Sequence, residues 1–297
     1  MKLSLVLATF NEEKNIVDCI RSAKPICDEI IVVDGSSVDQ TAKLARGEGA
    51  RLIVTHNQSM FHINKQKAID AAQGDWILLL DADERVSPEL AEEIKKVVVM
   101  SEQDIEKYQE NLPEKSLFER HTQLTISSRH LTKKKMLGVS CFMFNAFFIP
   151  RLNYFLGRYL RYGGVYPDGV IRLFKKGKAY LPCKDVHEQV EVKGKVGWLQ
   201  NPLLHIDSPT FGRYLERNSR YIDQLTINVK QLTSNKDIIQ TTATAMDWFF
   251  IKPFVWFFMT TFRHKGILDG WQGVVFSFFS ALRFPRAYWR SVFTRRF

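Results

Sequence analysis

Short apolar runs alternate with stretches of helical periodicity over the first hundred residues of the chain. The apolar runs predict buried β-strands at residues 3–8, 30–33, 51–54 and 76–80. Between them the sequence predicts helices from about residue 12 (capped by Asn11) to 23, and over 38–46, 64–72 and 89–100. Strands that alternate with helices at these distances predict an α/β fold with a parallel, doubly wound sheet and right-handed crossovers.

The pattern is less regular in the rest of the chain. Residues 101–140 are polar and mixed, which is typical of a variable insertion that is only partly helical. Apolar runs at 141–151 and 170–174 predict two more strands, and residues 211–232 have the spacing of a helix. We therefore predict three parts, namely a Rossmann-like α/β domain with a mostly parallel sheet over 1–210, a helical extension over 211–247 and amphipathic aromatic helices over 248–297.

Two acidic residues follow the apolar run 76–80. Asp81 and Asp83 stand where this strand is expected to leave the sheet, and open α/β sheets bind ligands at that end of their strands. Two such carboxylates can share Mg²⁺ or Mn²⁺, which takes its other ligands from water and phosphate oxygens. The same stretch is equally an ordinary helix start, with Ser87 as N-cap and Pro88 as the first helical residue.

Polar residues also cluster at the ends of the earlier strands. Thr9, Asn11 and Glu12 follow the first strand, and Asp34 and Ser36 follow the second. No GxGxxG follows the first strand, so the fingerprint of dinucleotide-binding proteins is absent. Together with Asp81 and Asp83, hydrogen-bonding side chains at three strand ends predict a nucleotide pocket that includes a metal ion.

Charge and cysteine content narrow the choice of partners. The chain of 297 residues has a formal net charge of +10, which favours anionic partners such as a nucleotide, a phosphorylated acceptor, a lipid surface or nucleic acid. Its 4 cysteines form no CxxC pair, so neither a zinc cluster nor a disulfide framework is indicated. The first residues enter a strand directly, so we expect no signal peptide and a reducing cytoplasmic compartment.

Three segments carry a resemblance to a known family. The sequences TFNEE, IIVVDGSSVDQT and NKQKAIDAAQGDWILLLDADE resemble the family 2 glycosyltransferases of GT-A fold, which are inverting enzymes that use nucleotide sugars. The resemblance implies that Asp34 contacts the nucleobase, and that Asp81 and Asp83 hold the ribose and the metal–diphosphate as a DxD motif. It also implies nucleotide contacts from Thr9, Asn11, Glu12 and Ser36. Lys67 resembles a basic residue near the nucleotide, although a solvated surface lysine is an equally good interpretation.

A later segment resembles a narrower branch of that family. FFIPRLNYFLGRYLRYGGVYPDGVIRLF, followed by VHE, is similar to bacterial lipopolysaccharide-core glucosyltransferases. This resemblance implies Glu188 as first choice for the general base and Asp168 as second, with His187 completing the metal shell. On spacing alone, His187 and Glu188 would be an exposed polar pair at a strand end. Arg161 and Arg172 are weaker candidates for binding diphosphate or an anionic acceptor, since most arginines in such loops make surface contacts. His205 resembles a family position near the end of the domain, and we expect a core histidine there rather than a ligand.

The last fifty residues differ from the rest in composition. Two aromatic stretches, 248–262 and 271–284, are each shorter than the ~20 apolar residues that a membrane-spanning helix needs. Eight basic residues accompany them against a single acid, Asp269. Aromatic helices with basic flanks favour a place in the interface of an anionic bilayer, and packing on the domain or on another subunit is the alternative.

These observations predict a membrane-associated, metal-dependent inverting glycosyltransferase. We expect a UDP-sugar donor, UDP-glucose first, and a membrane-held glycolipid acceptor such as lipopolysaccharide core, at the cytoplasmic face of the inner membrane, peripheral or re-entrant. A polyprenyl-phosphate glycosyltransferase is the nearest alternative. A sugar-nucleotide pyrophosphorylase and a non-catalytic basic membrane-binding protein are more remote. No nucleic-acid partner is expected, because no recognition motif is present and the basic residues concentrate in the tail.

Overall fold

The computed structural model describes residues 1–128, 143–183, 190–233 and 238–293, and these form two compact units. The first unit comprises Met1–Leu152 and Pro167–His205, and the second comprises Asn153–Tyr166 and Ile206–Phe297. This division differs from the predicted one at two places. The segment Asn153–Tyr166 joins the C-terminal helices, and the predicted parts 211–247 and 248–297 fall into one unit.

Thirteen strands lie within the described residues. They are β1 Leu3–Thr9, β2 Glu29–Asp34, β3 Arg51–Val54, β4 Trp76–Leu80, β5 Glu84–Val86, β6 Phe144–Ile149, β7 Arg151–Phe155, β8 Arg158–Leu160, β9 Val170–Lys175, β10 Ala179–Tyr180, β11 Glu191–Val192, β12 Lys195–Trp198 and β13 Leu203–Ser208.

Seven of these strands form the main sheet of the first unit, in the order β12-β6-β9-β4-β1-β2-β3. The neighbours β4, β1, β2 and β3 run parallel to one another, and β6 runs parallel to β12. Strand β9 is antiparallel to both β4 and β6. The sheet is therefore mostly parallel with one reversed strand, which confirms the predicted α/β fold with a mostly parallel sheet.

Six α-helices lie within the described residues of the first unit. They are α1 Ile16–Ala23, α2 Thr41–Gly47, α3 His62–Ala71, α4 Pro88–Val97, α5 Glu102–Glu110 and α6 Lys115–Ser128. Alternate residues of β1 enter two different clusters, Leu5 in one and Val6 in the other, so this strand is buried on both faces. The first cluster includes Ile20 of α1 and the second includes Ala68 of α3. Helices thus cover both faces of the sheet, as in a doubly wound fold.

The start of the first helix differs from the prediction. Asn11 is not its N-cap: the helix begins at Ile16, and Asn11 has φ 54°, a left-handed conformation that asparagine tolerates. The Asn11 side chain accepts a hydrogen bond from the Val38 backbone N–H at 2.9 Å instead. The predicted cap of the fourth helix is confirmed, since Ser87 Oγ accepts from the Leu90 N–H at 3.1 Å and Pro88 is the first helical residue.

The predicted insertion 101–140 contains two helices that pack on the sheet. Ser101 caps α5, which buries Ile105, while α6 buries Phe118. The Phe118 ring stacks on Trp198 of the edge strand β12 with centroids 4.6 Å apart. The insertion therefore contributes to the core, and its residues 129–140 lie outside the described residues.

The second unit contains the hairpin of β7 and β8 and a helical array. Its α-helices are α7 Phe211–Thr233, α8 Ile238–Met246, α9 Lys252–Phe258, α10 Trp271–Ala281 and α11 Arg283–Phe293. Short π-helical segments, Asp247–Ile251 and Met259–Arg263, flank α9, and a 3₁₀ turn spans Gly266–Asp269. Among the helices of the described chain, none is both long enough and apolar enough to cross a membrane.

Candidate functional site

The carboxyl ends of β1, β2 and β4 bring the predicted nucleotide-binding residues to one edge of the sheet. Because β1 pairs in parallel with both β2 and β4, Thr9 lies beside Asp34, and the turn with Asp81 follows the neighbouring strand. Thr9 Oγ1 donates to Asp34 Oδ1 at 3.1 Å, and the Ser37 N–H donates to Asp34 Oδ2 at 2.8 Å. Asp34 is buried, so these bonds fix its carboxylate in one orientation.

The turns after β1 and β2 bond to each other. The Asn11 N–H donates to Ser37 Oγ at 2.9 Å, and the Glu12 N–H donates to Thr41 Oγ1 at 2.7 Å. Ser36 has φ 61°, and its hydroxyl donates to the Thr55 carbonyl at 2.8 Å. The pocket residues of the first two strand ends therefore lie in turns that are hydrogen-bonded to each other.

Lysines of α3 reach the site at two different points. Lys67 donates from Nζ to Thr55 Oγ1 at 2.9 Å, whereas Lys65 is buried, lies over the Phe61 ring and forms an ion pair with Asp81. The lysine of α3 that touches the Asp81 carboxylate is thus Lys65, which the sequence analysis did not single out. Its position three residues before buried Ala68 is the helical spacing that would have indicated it.

Asp81 is part of a partly buried network of charges. Arg172 of β9 pairs with Asp81 and, through the same nitrogen, with Glu84 at 2.7 Å. Arg151 extends this network, because its Nη1 lies 3.4 Å from Glu84 Oε1 and its Nη2 lies 2.7 Å from Asp168 Oδ2. Three carboxylates therefore meet three cations, so the charges balance.

Burial and charge act against each other on Asp81. Burial alone would raise the pKa of this carboxyl, but the positive charges of Arg172 and Lys65 hold the pKa well below its usual range. Burial likewise opposes the charge of Arg172, yet Asp81 and Glu84 raise the pKa of its guanidinium. Asp81 is thus held ionised and oriented. Arg172, a weaker candidate for binding diphosphate, is occupied by carboxylates of the protein.

Asp83 faces a histidine from the far end of the domain. The pairing of β13 with β5 sets His205 opposite Glu84, which brings His205 Nε2 to 3.4 Å from Asp83 Oδ2. His205 is buried, as expected of a core histidine, while the Asp83 side chain is 32% exposed. Its approach to Asp83 was not foreseen, because the two residues are distant in sequence.

One carboxylate and one imidazole suit Mg²⁺ or Mn²⁺ that completes its shell with diphosphate oxygens and water. No group of three or more histidine, cysteine or acidic residues that could hold a metal ion occurs among the described residues. Asp83 and His205 could supply two of the ligands of such an ion.

Of the predicted catalytic residues Asp168, His187 and Glu188, only Asp168 lies within the described residues. Asp168 Oδ2 accepts from Arg151, and the next residue, Gly169, packs so closely that a Cβ there would lie 2.1 Å from the Trp198 ring. The loop that carries Asp168 is thereby fixed. His187 and Glu188 lie outside the described residues.

Comparisons with known proteins point to one family for this part of the chain. Residues 4–151 match the model of glycosyl transferase family 2. The chain is 38% identical over 104 residues to an uncharacterized glycosyltransferase of Rickettsia typhi, a match that covers 35% of this chain and 35% of the relative. It is 31% identical over 93 residues to the SPbeta prophage-derived glycosyltransferase SunS of Bacillus subtilis, covering 31% and 22% of the two chains.

The chain thus spans about a third of the length of the first of these relatives. Among solved structures, glucosyl-3-phosphoglycerate synthase from Mycobacterium tuberculosis, in complex with Mn²⁺, UDP-glucose and phosphoglyceric acid, is similar over 28% of this chain and 34% of that chain. The identity is 29% and the TM-score is 0.26. The family match and the mostly parallel sheet agree with the expected GT-A type of fold.

Proposed function

We propose that the protein is an inverting glycosyltransferase that takes its sugar from a nucleotide sugar bound at the edge formed by β1, β2 and β4. The observation that carries the proposal is the juxtaposition of Asp83 with His205 on the edge that holds the Thr9–Asp34 cluster. The match of residues 4–151 to glycosyl transferase family 2 supports it. A nucleotide pocket next to two ligands for a hard cation is what departure of a nucleoside diphosphate requires.

Each residue of the pocket has a proposed role. Asp34 accepts a hydrogen bond from the nucleobase, with Thr9 and Ser37 holding its carboxylate in place. Asp83 and His205 hold Mg²⁺ or Mn²⁺, which neutralises the charge of the leaving diphosphate when bound. Asp81, kept ionised by Lys65 and Arg172, accepts from the ribose hydroxyls.

The acceptor hydroxyl needs a base, and Glu188 remains the first choice. Asp168 is the weaker candidate because its carboxylate is already neutralised by Arg151 at 2.7 Å. His187, next to Glu188, is proposed as a further metal ligand, since neutral imidazole binds Mn²⁺. Replacement of the true base by its amide is expected to lower kcat by about 10²–10⁴-fold. Glu188→Gln should therefore lower kcat far more than Asp168→Asn, and the reverse ranking would reassign the base.

The donor and acceptor follow from the narrower resemblance. Similarity of the segment around 147–188 to lipopolysaccharide-core glucosyltransferases favours UDP-glucose as donor and a membrane-held glycolipid as acceptor. The basic, aromatic segment 248–297 suits a place at the cytoplasmic face of the inner membrane. A polyprenyl phosphate acceptor would suit the same surface, and acceptor assays with the two lipid classes separate these alternatives.

Thermal unfolding tests the pocket directly. A ligand that binds only the folded state stabilises it, by about 2.7 kcal/mol at a hundredfold excess over Kd, and so raises Tm. We expect UDP to raise Tm more than GDP or CDP, to need Mn²⁺ for the full effect, and to lose that effect in Asp83→Ala. Asp70→Ala, an exposed acid on α3, is the matched control and should keep the shift. Absence of a shift with every nucleotide would refute the pocket.

A further inference from the structure

A row of exposed phenylalanines runs along one side of the aromatic helix of the second unit. Phe250, Phe254, Phe258 and Phe262 follow one another at intervals of four residues and are 69%, 65%, 44% and 54% exposed. The Phe258 ring contacts two of the others, with its centroid 4.5 Å from that of Phe254 and 5.5 Å from that of Phe262. In an unbroken α-helix, positions four apart drift around the axis, because each turn holds 3.6 residues.

The π-helical segments at both ends of this helix partly correct that drift. Asp247–Ile251 and Met259–Arg263 have wider turns than the α-helical Lys252–Phe258 between them. Because a wider turn holds more residues, these turns offset part of the drift between positions four apart. The exposed aromatic rings therefore coincide with two π-helical turns, which are frequent at functional sites.

An apolar groove lies beside this row. It has a volume of about 800 Å³ and runs between helix Lys252–Phe258 and helix Trp271–Ala281. Phe250, Phe254 and Val255 line one side, and Phe278 and Leu282 line the other. The groove holds its shape because Trp256 Nε1 donates to Ser280 Oγ at 3.0 Å and so ties the two helices together. Walls of this kind accept a hydrocarbon chain without leaving a polar group unsatisfied.

A smaller, basic pocket adjoins the groove. It has a volume of about 300 Å³, shares Phe249 with the groove and is lined further by Pro285, Arg286, Trp289 and Arg290. Arg290 is already bonded to Asp223 and to Ser219 Oγ at 3.1 Å. The exposed Arg286 guanidinium makes no hydrogen bond or ion pair with any described residue. Arg286 is thus a cation that lies next to the apolar groove.

We propose that the groove and the basic pocket together bind one anionic phospholipid of the bilayer, its acyl chain along Phe254 and its phosphate on Arg286. This deepens the membrane partner of the proposed function and rests on that part of it. Six basic residues and one acid lie between 248 and 293, and the acid, Asp269, is buried. A second copy docked on the same face would set these positive charges against their like, whereas an anionic lipid neutralises them.

Binding to lipid vesicles and to monomeric lipid tests the inference on the full chain. The vesicles contain equal parts of phosphatidylglycerol and phosphatidylcholine, or phosphatidylcholine alone, and the monomeric probe is dioctanoyl phosphatidylglycerol. We expect cosedimentation only with the anionic vesicles, and calorimetric binding of the monomeric lipid but not of glycerol 3-phosphate. Phe254→Ser should weaken both by roughly tenfold, because it removes a large apolar wall. Arg286→Gln should weaken both by about fivefold, as expected for one cation near an anionic surface.

Two matched variants distinguish specific lipid binding in the groove from nonspecific binding to an exposed apolar surface. Phe262→Ser alters an equally exposed ring of the same row that does not line the groove, and Arg220→Gln removes an exposed cation of helix Phe211–Thr233. Both should bind the monomeric lipid as the wild type does. Equal losses from Phe254→Ser and Phe262→Ser, or glycerol 3-phosphate binding as well as the lipid, would overturn the proposal.

Self-association is the other outcome that would overturn it. A dimer detected by analytical ultracentrifugation, lost in Phe254→Ser and unaccompanied by vesicle binding, would assign the groove to a second copy. The Tm shift with UDP and Mn²⁺, recorded on the same samples, reports the nucleotide pocket separately. Failure of the lipid site and failure of the glycosyltransferase proposal are therefore distinguishable.

Discussion

The two compact units differ in which energetically unfavourable side-chain environments they contain, namely buried charges in the first unit and exposed apolar rings in the second. In the first unit, Arg172 and Glu84 are buried with 7% and 0% exposure, and each is matched by an opposite charge. In the second unit, the apolar rings of Phe250 and Phe254 are mostly exposed, and Arg286 has no ion partner among the described residues. Buried charges are tolerated when they are paired, whereas a contiguous exposed apolar surface is uncommon in proteins that act alone.

This contrast separates two kinds of functional surface. The buried charges of the first unit are paired with opposite charges of the same unit, so its site is organised before any ligand binds. The aromatic surface of the second unit gains its stabilisation only when something outside the chain covers it. Substitutions in the first site should therefore affect folding and activity together, whereas those in the second surface should affect binding alone.

The largest expected effect on stability is that of breaking the charge network. Arg172→Met leaves the Asp81 and Glu84 carboxylates without their main cation, and removal of one partner from a buried pair costs about 3–5 kcal/mol. Urea unfolding measures this loss of free energy. Arg21→Met removes an exposed cation that pairs with Glu48 and should change little. Comparable losses in both variants would show that burial does not set the strength of the network.

The same network should make stability depend on pH. Because the folded-state pKa of Asp81 is lowered, its contribution is present above the pKa of the unfolded chain, about 3.9, and is lost as pH falls through the folded-state value. The difference in unfolding free energy between the wild type and Asp81→Asn should therefore be constant near neutrality and shrink on acidification below about pH 4. A difference that grows on acidification would contradict the lowered pKa.

The strand ends of this site could be predicted from the sequence, because local pattern determines them. An apolar run that ends in Asp34 or Asp81 fixes both the strand and its carboxyl end, and parallel neighbours bring such ends together. The same reasoning correctly marked Ser87 as a cap. It failed at Asn11, since an asparagine can bond to a distant backbone N–H as readily as to the helix that follows it.

The partners of those strand ends could not be predicted, because they come from elsewhere in the chain. Arg172 reaches Asp81 only because β9 inserts antiparallel beside β4, and no local pattern reports the order of strands. His205 reaches Asp83 through the pairing of β13 with β5. From the sequence alone, a lysine such as Lys65 is assigned to the surface. Its burial can be recognised only when it is known which face of its helix packs on the sheet.

An intermediate effect is expected at the one acid of the C-terminal segment. Asp269 is buried and accepts hydrogen bonds from the N–H groups of Arg161 and Tyr162, the latter at 2.8 Å, so it holds two turns of the second unit together. Asp269→Asn replaces one acceptor oxygen by an NH₂ donor, which should cost about 1–3 kcal/mol. Thermal unfolding measures it, with Asp247→Asn as a more exposed control. An unchanged Tm would mean that water replaces the lost acceptor.

The smallest effect should come from the exposed row itself. Phe254→Ser removes a ring that is 65% exposed, so the unfolding free energy in water should change by no more than about 0.5 kcal/mol. Phe155 of the same unit is buried against Tyr214 and Phe276, and Phe155→Ala should cost about 3–5 kcal/mol. A small loss at Phe254 together with weaker vesicle binding would show that this ring serves an external partner. A loss as large as that of Phe155→Ala would instead make the aromatic row part of the folded core and remove the contrast between the two units.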